Sequence, residues 1–374
     1  MSTALKVLLV ILHADSARGG AEGYCVHLLH ALRMRGIDAK IAAATFEAGF
    51  DKSICVPLRF DGLTRGGEYR SFLNSLDAHL EASSYDIVHA VLPVRRCDVY
   101  HPQAGVESIT FPNASRLQQL TNRRRAMFAR VEHDLLCDPI GPVVLCLSDR
   151  ARDETRTLLR DWNRANPTGG DTPVEDRVMT LYNGVESERF VPDASRGKDN
   201  PPRVVLVGQD FARKGVDIAI RALARSSSLG VVLEVVGKDD PALYRAIARK
   251  LKIEERVRFL GALRDVPAIL AGAWALVHPA RFEPFGMVIP EAMLMGVAPI
   301  VSKASGASEI VRDGVDGRVV DGEAPAAWAA AIGDVVANRD RYAQACLARR
   351  VELSYSSHLD KLLAIYGRII AERR

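Results

Sequence analysis

The sequence predicts an α/β protein made of two doubly wound, Rossmann-like domains. Its 374 residues exceed what one core normally holds at about 150 residues per domain. Short apolar segments alternate with helix-like segments, a pattern typical of parallel strands covered on both faces. The alternation restarts after the polar, proline-containing segment 192–202, and we therefore expect a second domain there.

The first domain is predicted at residues 1–185, with a C-terminal helix at 355–374 added to it. Its first strand, 5–12, leads into a helix near 21–35. The other strands of this domain are predicted at 38–44, 86–91, 142–148 and 177–183.

The second domain is predicted at residues 186–354. Its strands are expected at 203–208, 231–237, 257–261, 275–278 and 297–301. In sheets of this kind, ligands bind outside the carboxyl ends of the strands. Two such domains facing each other would place a ligand site in the cleft between them.

Composition and charge argue against several classes of protein. The net charge of +4 is too small to indicate a nucleic-acid-binding protein. The six cysteines are scattered without a Cys-x-x-Cys pair, which argues against a disulfide framework and a zinc site. No apolar run approaches the roughly 20 residues of a membrane-spanning helix, and the start lacks the features of a signal peptide. We therefore expect a cytoplasmic enzyme.

The segment 281–291 is the strongest candidate for a ligand site. It follows a predicted strand directly, and Pro290 is tolerated in a first helical turn, which indicates a helix starting near Met287 or Val288. Backbone N–H groups at the positive end of a helix suit a pyrophosphate. These groups are expected from Phe285, Gly286, Met287 and Val288.

Two carboxylates accompany this anion site. Glu283 could accept hydrogen bonds from a sugar ring, and Glu291 from a ribose diol. Glu291 alone is equally well explained by the interaction of an acidic residue with the helix dipole. The combination of Glu283, Phe285, Gly286 and Glu291 after a strand favours the ligand interpretation.

The pattern Glu-x-Phe-Gly-x4-Glu from Glu283 to Glu291, continued as Ala-Met-x2-Gly-x-Ala-Pro, resembles the signature of glycosyltransferase family 4. The resemblance implies a GT-B fold, in which the two Rossmann-like domains face each other across a cleft. It also implies that Glu283 contacts the donor hexose and Glu291 the ribose, and that the anomeric configuration is retained.

A basic turn supports this resemblance. Arg213 and Lys214 follow the strand 203–208, where they could neutralise a diphosphate and stabilise a leaving group as it gains charge. Alone, Arg213 and Lys214 are slightly more typical of a solvated loop before a helix. The sequence around these two residues is similar to that of family members that glucosylate the lipopolysaccharide core. This similarity implies UDP-glucose as the first donor to test, with a base pocket around Leu260 to Val266 that includes Arg264.

The resemblance also implies functional roles for residues of the first domain. Gly19 and Gly20 lack the spacing of a dinucleotide fingerprint and alone indicate only a tight turn, but the family places such a pair against the donor phosphate and sugar. Asp98 and His101 are the acceptor-side candidates, Asp98 first. A surface-loop histidine is the other interpretation of His101, and His89 is predicted to be packed inside a strand.

No Asp-x-Asp metal motif occurs, so we expect no cofactor and no metal. Arg213, Lys214 and helix N–H groups would take the place of a divalent ion. The resemblance implies front-face displacement, in which the leaving phosphate takes the acceptor proton. No glycosidase-type pair of carboxylates is then required. The predicted catalytic residues are Asp98, His101, Glu283 and Lys214.

The expected partners are a nucleotide-sugar donor and a glycan or lipid-linked acceptor, with no nucleic acid. The segment 116–130 interleaves arginines with apolar residues, which is typical of a solvated helix face or of peripheral contact with anionic lipid on the inner face of the membrane. Two other functions remain open: a non-catalytic nucleotide-sugar-binding protein, and a GT-B sugar-nucleotide epimerase or hydrolase.

Overall fold

The structure, a computed structural model, describes residues 5–107, 123–138, 140–165, 174–192, 200–226, 230–263 and 265–373. The chain divides into two compact units. The first is drawn from residues up to Leu181 and from Leu359 onward, and the second comprises Tyr182–His358.

The first unit is built on a parallel sheet. Its strands are β1 (Lys6–Val10), β3 (Asp38–Ala43), β5 (Cys55–Pro57), β6 (Ile87–Ala90), β7 (Val99–Tyr100), β8 (Val143–Cys146) and β9 (Val178–Thr180). Their order is β5-β3-β1-β6-β7-β8-β9, and β2 (His13–Ala14) pairs separately with β4 (Thr45–Phe46). The helices described here are α1 (Gly20–Met34), α2 (Arg65–Ala82), α3 (Arg123–Leu136), α4 (Asp149–Ala165) and α5 (Val174–Arg177).

The second unit has the strand order β12-β11-β10-β13-β14-β15, again with all recorded pairings parallel. Its strands are β10 (Arg203–Val207), β11 (Val232–Val236), β12 (Val257–Gly261), β13 (Ala275–His278), β14 (Ala298–Ser302) and β15 (Arg318–Val320). Its helices are α6 (Val216–Arg225), α7 (Ala242–Lys250), α8 (Val266–Leu270), α9 (Val288–Leu294), α10 (Pro325–Ala337) and α11 (Arg339–Leu347). The final helix, α12 (Tyr355–Glu372), starts in this unit and returns the chain to the first.

Burial explains why the central strands read as continuous apolar runs. Val7 through Val10 of β1 are fully buried, as are all residues of β13 and β14 to within a few per cent. A parallel strand with helices on both faces exposes neither set of side chains. The two domains are therefore Rossmann-like α/β layers, as the sequence predicted.

The strand order creates one topological switch point in each unit. It lies between β1 and β6 in the first unit and between β10 and β13 in the second. The crevice outside the carboxyl ends of such a strand pair is where open α/β sheets bind ligands. In the second unit, the loop after β10 carries Arg213 and Lys214, and the loop after β13 carries Glu283.

Within the described ranges, no helix is long and apolar enough to cross a bilayer. The first part of the basic segment, 116–122, lies outside the described residues. Its contact with a membrane therefore stays a prediction.

Candidate active site

The side chains of Lys214 and Glu283 meet at the switch point of the second unit. The ammonium of Lys214 contacts the carboxylate oxygen Oε2 of Glu283. The same oxygen accepts a hydrogen bond from Nη1 of Arg213 at 2.8 Å. The structure thus brings together the two cations and the carboxylate that the sequence pointed to separately.

The backbone before Lys214 is shaped for this contact. Gly208 directly follows β10 with φ of +156°, and a Cβ built there would lie 2.6 Å from Cε of Lys214. Only a residue without a side chain leaves room for the lysine to cross the strand end. Asp210 closes the following turn, because its carbonyl accepts from the backbone N–H of Lys214 at 2.9 Å.

The loop after β13, which carries Glu283, is held by the loop after the neighbouring strand β14. The backbone N–H of Gly306 donates to the carbonyl of Glu283 at 3.0 Å, and the hydroxyl of Ser305 donates to the carbonyl of Phe285 at 2.8 Å. The loop after β13 is therefore tied to the loop after β14. This holds the carboxylate of Glu283 in place without any ligand.

Electrostatics keep Glu283 ionised. Burial raises the pKa of this carboxyl, but the charges of Lys214 and Arg213 outweigh that effect and hold the pKa below its ordinary value. Burial also lowers the pKa of Lys214, and Glu283 opposes this shift. A buried cation and a buried carboxylate in contact stabilise each other's charged form.

His278 lies beneath this pair at the end of β13. Its Nε2 is 3.9 Å from Oε2 of Glu283, and its ring is 1% exposed. Burial, followed by the charge of Lys214, lowers the pKa of His278 to about 3. The imidazole is therefore neutral at working pH. His278 was not predicted as a site residue, although its position at a strand end beside the switch point was a usable signal.

The helix α9 starts where Pro290 indicated. Met287 caps it and Val288 is its first residue. Gly286 adopts φ of +100°, which a residue with a side chain rarely does. Among the described residues, no protein group accepts from the backbone N–H groups of residues 285–288. These donors are available to an anion.

Glu291 lies in the first turn of α9 and is largely buried. Burial raises the pKa of its carboxyl to about 7, with Arg189 opposing and Glu186 adding to the shift. The group therefore exchanges its proton in the neutral range. When ionised, it can accept hydrogen bonds from two neighbouring hydroxyls.

The first unit presents Gly19 and Gly20 at the carboxyl end of its sheet. Both are exposed where α1 begins, and Gly19 is its N-cap. No heavy atom lies within 4 Å of a Cβ built at Gly20, whereas a Cβ built at Gly19 would lie 2.9 Å from Oε2 of Glu22. The donor-side role of the two glycines stays a prediction.

His101 follows β7 at the same sheet edge. It is fully buried, and its Nδ1 lies 3.2 Å from the hydroxyl of Tyr24 on α1. The ring of His89 packs 5.5 Å away, and its Nδ1 is 2.6 Å from the hydroxyl of Tyr366. His101 is therefore no surface-loop histidine. Tyr24 was not recognised from the sequence.

The position of Asp98 is at odds with the predicted catalytic role. It precedes β7 at the amino-terminal edge of the sheet, opposite to Gly19 and His101. Its Oδ2 accepts from the backbone N–H of Val88 at 2.6 Å, and its Oδ1 contacts Arg373. These contacts tie Asp98 to the amino-terminal edge of the sheet. They do not support the predicted acceptor-side role of Asp98.

Two further predictions concern the base pocket and metals. Arg264 lies outside the described residues, while Leu260 and Leu263 beside it are 39% and 47% exposed. In the part of the chain that the structure describes, no group of three His, Cys, Asp or Glu side chains could hold a metal ion. Metal independence stays a prediction.

Solved structures with the same fold define the class. The chain superposes on the glycosyltransferase WaaG with a TM-score of 0.75 at 22% identity, over 96% of this chain and 99% of that one. It superposes on HepE of Anabaena, solved with UDP and glucose, with a TM-score of 0.70 at 20% identity, over 97% and 99% of the two chains. The fold is GT-B.

Sequence comparison relates the second unit to known proteins. Residues 188–348 match the model of glycosyl transferases group 1. D-inositol 3-phosphate glycosyltransferase of Salinispora tropica is 32% identical over 266 residues, 62% of this chain and 53% of the relative. Lipopolysaccharide glucosyltransferase WaaG of Escherichia coli is 36% identical over 126 residues, 33% of this chain and 34% of the relative. The chain thus matches about half, or less, of these curated relatives.

Proposed function

We propose that this protein is a retaining, metal-independent glycosyltransferase that moves a hexose from a nucleotide sugar to a glycan or lipid-linked acceptor. One observation carries the proposal. Lys214, Arg213 and Glu283 converge at the carboxyl ends of β10 and β13, beside free N–H groups at the start of α9. A diphosphate needs cations and donors, and a sugar needs an acceptor of hydroxyl hydrogen bonds. This arrangement offers all three.

The donor roles follow from position. Arg213, Lys214 and the N–H groups of residues 285–288 bind the diphosphate. Glu283 accepts hydrogen bonds from the hexose, and Glu291 from the ribose. In the structure, Glu283 holds both cations through one oxygen. A bound diphosphate would share them, and their attraction would grow as the leaving group gains charge.

The reaction balances without a metal. The bond between the anomeric carbon and the diphosphate oxygen breaks, and that oxygen keeps the electron pair. The acceptor hydroxyl forms the new bond on the same face and gives its proton to the departing phosphate. Lys214 and Arg213 stabilise the departing charge, as a divalent ion does in other transferases. In the first unit, His101 is the proposed acceptor-side residue, and Gly19 and Gly20 are proposed to contact the donor.

The relatives support particular substrates. UDP and glucose occupy HepE, and WaaG of Escherichia coli is a lipopolysaccharide glucosyltransferase, so UDP-glucose and the lipopolysaccharide core are the first pair to test. D-inositol 3-phosphate glycosyltransferase supports a second acceptor class, an inositol phosphate. Transfer to either acceptor would use the same proposed donor site in the second unit.

The test combines binding with turnover. A ligand that binds only the folded state raises its melting temperature, so thermal shift with UDP-, GDP- and ADP-sugars identifies the donor. Transfer is then assayed with lipopolysaccharide core oligosaccharide and with inositol 3-phosphate. Near-normal turnover by both Glu283→Ala and Lys214→Ala would refute the site. Binding without transfer would favour a binding protein, and nucleotide release without acceptor would favour a hydrolase.

Peripheral membrane contact through residues 116–130, on the cytoplasmic face, remains part of the proposal for a lipid-linked acceptor. Basic and apolar residues alternate there, which supports attraction to anionic headgroups. Flotation with vesicles containing or lacking anionic lipid tests this. Equal recovery in both cases would refute it.

A further inference from the structure

Arg281 opens the loop after β13 and connects three parts of the second unit. Its Nη1 donates to the carbonyl of Ala212 at 2.6 Å. Its Nη1 and Nη2 each lie 3.0 Å from an oxygen of Asp217, in the first turn of α6. Its Nε and Nη2 reach the carboxylate of Glu323 at 3.1 and 2.9 Å. One guanidinium therefore uses all its nitrogens within the protein.

The contact between the two loops is reciprocal. The backbone N–H of Arg281 donates to the carbonyl of Arg213 at 2.8 Å. In the other direction, Nη1 of Arg213 donates to the carbonyl of Phe282 at 3.0 Å. Each loop is thus held by an arginine from the other. Arg213 also contacts Glu283 in the candidate diphosphate site, whereas the guanidinium of Arg281 is engaged by Ala212, Asp217 and Glu323.

We propose that Arg281 is a positioning residue for the diphosphate site, which fixes the backbone at residues 212–213 so that Arg213 and Lys214 meet Glu283. This inference rests on the proposed function and deepens it. A planar fork that binds two carboxylates and a carbonyl at once is specific to arginine. Lysine keeps the charge but offers a single flexible donor centre.

Arg318 provides a matched control in the same unit. Its Nε lies 2.9 Å from Asp313 and its Nη1 2.5 Å from Asp334, so it also bridges two carboxylates. Side-chain exposure is similar, 32% for Arg318 and 36% for Arg281. Arg318 lies in β15, and no contact of its side chain reaches residues 208–215 or 279–287 among the described residues. Both arginines stabilise the domain, but only Arg281 holds the site.

The experiment compares Arg281→Lys with Arg318→Lys in the full chain. Melting temperatures are recorded first, and we expect similar small losses. Binding of UDP and of inorganic pyrophosphate is then measured by calorimetry. Arg281→Lys loses charge-assisted contacts that position Arg213 and Lys214, the two side chains proposed to bind the phosphates. We therefore expect this variant to bind pyrophosphate about tenfold more weakly. Arg318→Lys should bind it as the wild type does.

Turnover supplies a second readout. With UDP-glucose, Arg281→Lys should lower kcat as well as raise KM, because misplaced cations stabilise the leaving group less. Equal binding and turnover in the two variants would overturn the inference and leave the proposed function intact. Failure of the wild type to bind UDP and pyrophosphate would overturn both. If Arg281→Lys does not fold, Glu323→Gln removes one charge from the same fork and should still weaken pyrophosphate binding. Unchanged binding in that variant would also overturn the inference.

Discussion

The ammonium of Lys214 and the carboxylate of Glu283 contact each other although they are 69 residues apart in sequence. Their side chains are only 10% and 13% exposed. Arg213 adds a second positive charge at the same carboxylate oxygen. Arg213 is also paired with Asp210 at 3.3 Å, and the side chain of Asp210 is 57% exposed, so the two cations face one buried and one solvated carboxylate. A nucleotide diphosphate is the anion that the fold suggests for these two cations.

A double-mutant cycle tests this contact. Lys214→Met and Glu283→Gln each leave a buried charge without its main partner, and each should lower the free energy of unfolding by about 3 kcal/mol. The double variant should lose less than the sum of the two, because the charges are then removed together. Urea titration of the four proteins measures the coupling. Each single variant should also lower kcat about 100-fold.

The control for this cycle is an exposed pair in the same unit. Lys303 and Asp321 lie 3.3 Å apart with side chains 69% and 78% exposed. Lys303→Ala should leave turnover unchanged, because a solvated pair outside the site contributes little. Additive effects of Lys214→Met and Glu283→Gln would contradict the proposed coupling.

Donor affinity should depend on pH through Glu291. Its pKa in the folded protein is raised to about 7, and ribose hydroxyls bind the ionised form. Affinity for UDP-glucose should therefore fall about tenfold from pH 8 to pH 6. UDP-glucose is the ligand of choice because the free terminal phosphate of UDP titrates near pH 6 itself. The Glu291→Gln variant should show no dependence in this window.

The same group links pH to stability in the ligand-free protein. A folded-state pKa above the ordinary value of 4.5 means that the folded state holds the proton more tightly. Its contribution is full at pH values below 4.5 and is lost as pH rises through about 7. Comparison of thermal unfolding between the wild type and Glu291→Gln isolates this contribution. A wild-type profile parallel to that of the variant would contradict the assignment.

Long strands were predictable from sequence and very short ones were not. The strand predicted at 275–278 is β13, and the one predicted at 203–208 is β10, Arg203–Val207. Each is an apolar run with polar flanks. By contrast, β7 has two residues, Val99 and Tyr100, and two residues carry no periodicity. The fold class depends on the long strands, so it was recovered.

The missed strand explains the error at Asp98. The sequence placed Asp98 and His101 in one loop, three residues apart. Because β7 lies between them, they end at opposite edges of the sheet. The donor-side residues were easier to predict from the sequence, since Arg213, Lys214 and Glu283 follow long strands. Partners such as Arg281 and Tyr24 depend on contacts far apart in sequence, which a single sequence does not reveal.

Gly208 should be needed for turnover as well as for folding. A methyl group in Gly208→Ala would meet the flexible end of Lys214 and displace it from Glu283, and the φ of +156° adds a backbone strain of about 1–3 kcal/mol. We expect kcat to fall about tenfold. Gly314→Ala is the control, because Gly314 also has positive φ, +73°, but open space around its Cβ position. It should lose about 1 kcal/mol of stability and no activity. Equal activity in the two variants would contradict the role of Gly208.

Metal removal should leave transfer unchanged. Arg213 and Lys214 supply the positive charge that a divalent ion supplies elsewhere. Turnover is measured after dialysis against a chelator, and again with added magnesium or manganese. Loss of activity on chelation that either ion restores would contradict the prediction.

Tyr24 should orient His101 in the first unit. The tyrosine hydroxyl lies 3.2 Å from Nδ1 of His101, and the rings meet edge to face at 5.1 Å. Tyr24→Phe keeps the ring packing and removes only the hydroxyl, so the fold should be kept while the imidazole loses one of its hydrogen bonds. If His101 acts on the acceptor side, kcat should fall about tenfold, while affinity for UDP, assigned to the second unit, stays constant.

A second tyrosine–histidine pair in the same unit provides the control for this prediction. The hydroxyl of Tyr85 lies 2.8 Å from Nε2 of His79, on α2 and away from the carboxyl edge of the sheet. Tyr85→Phe should therefore leave kcat unchanged although it removes the same kind of bond. Adding His101→Ala to Tyr24→Phe should lower kcat no further than His101→Ala alone, because the tyrosine acts through the histidine. An additional loss in the double variant would mean that Tyr24 acts independently of His101.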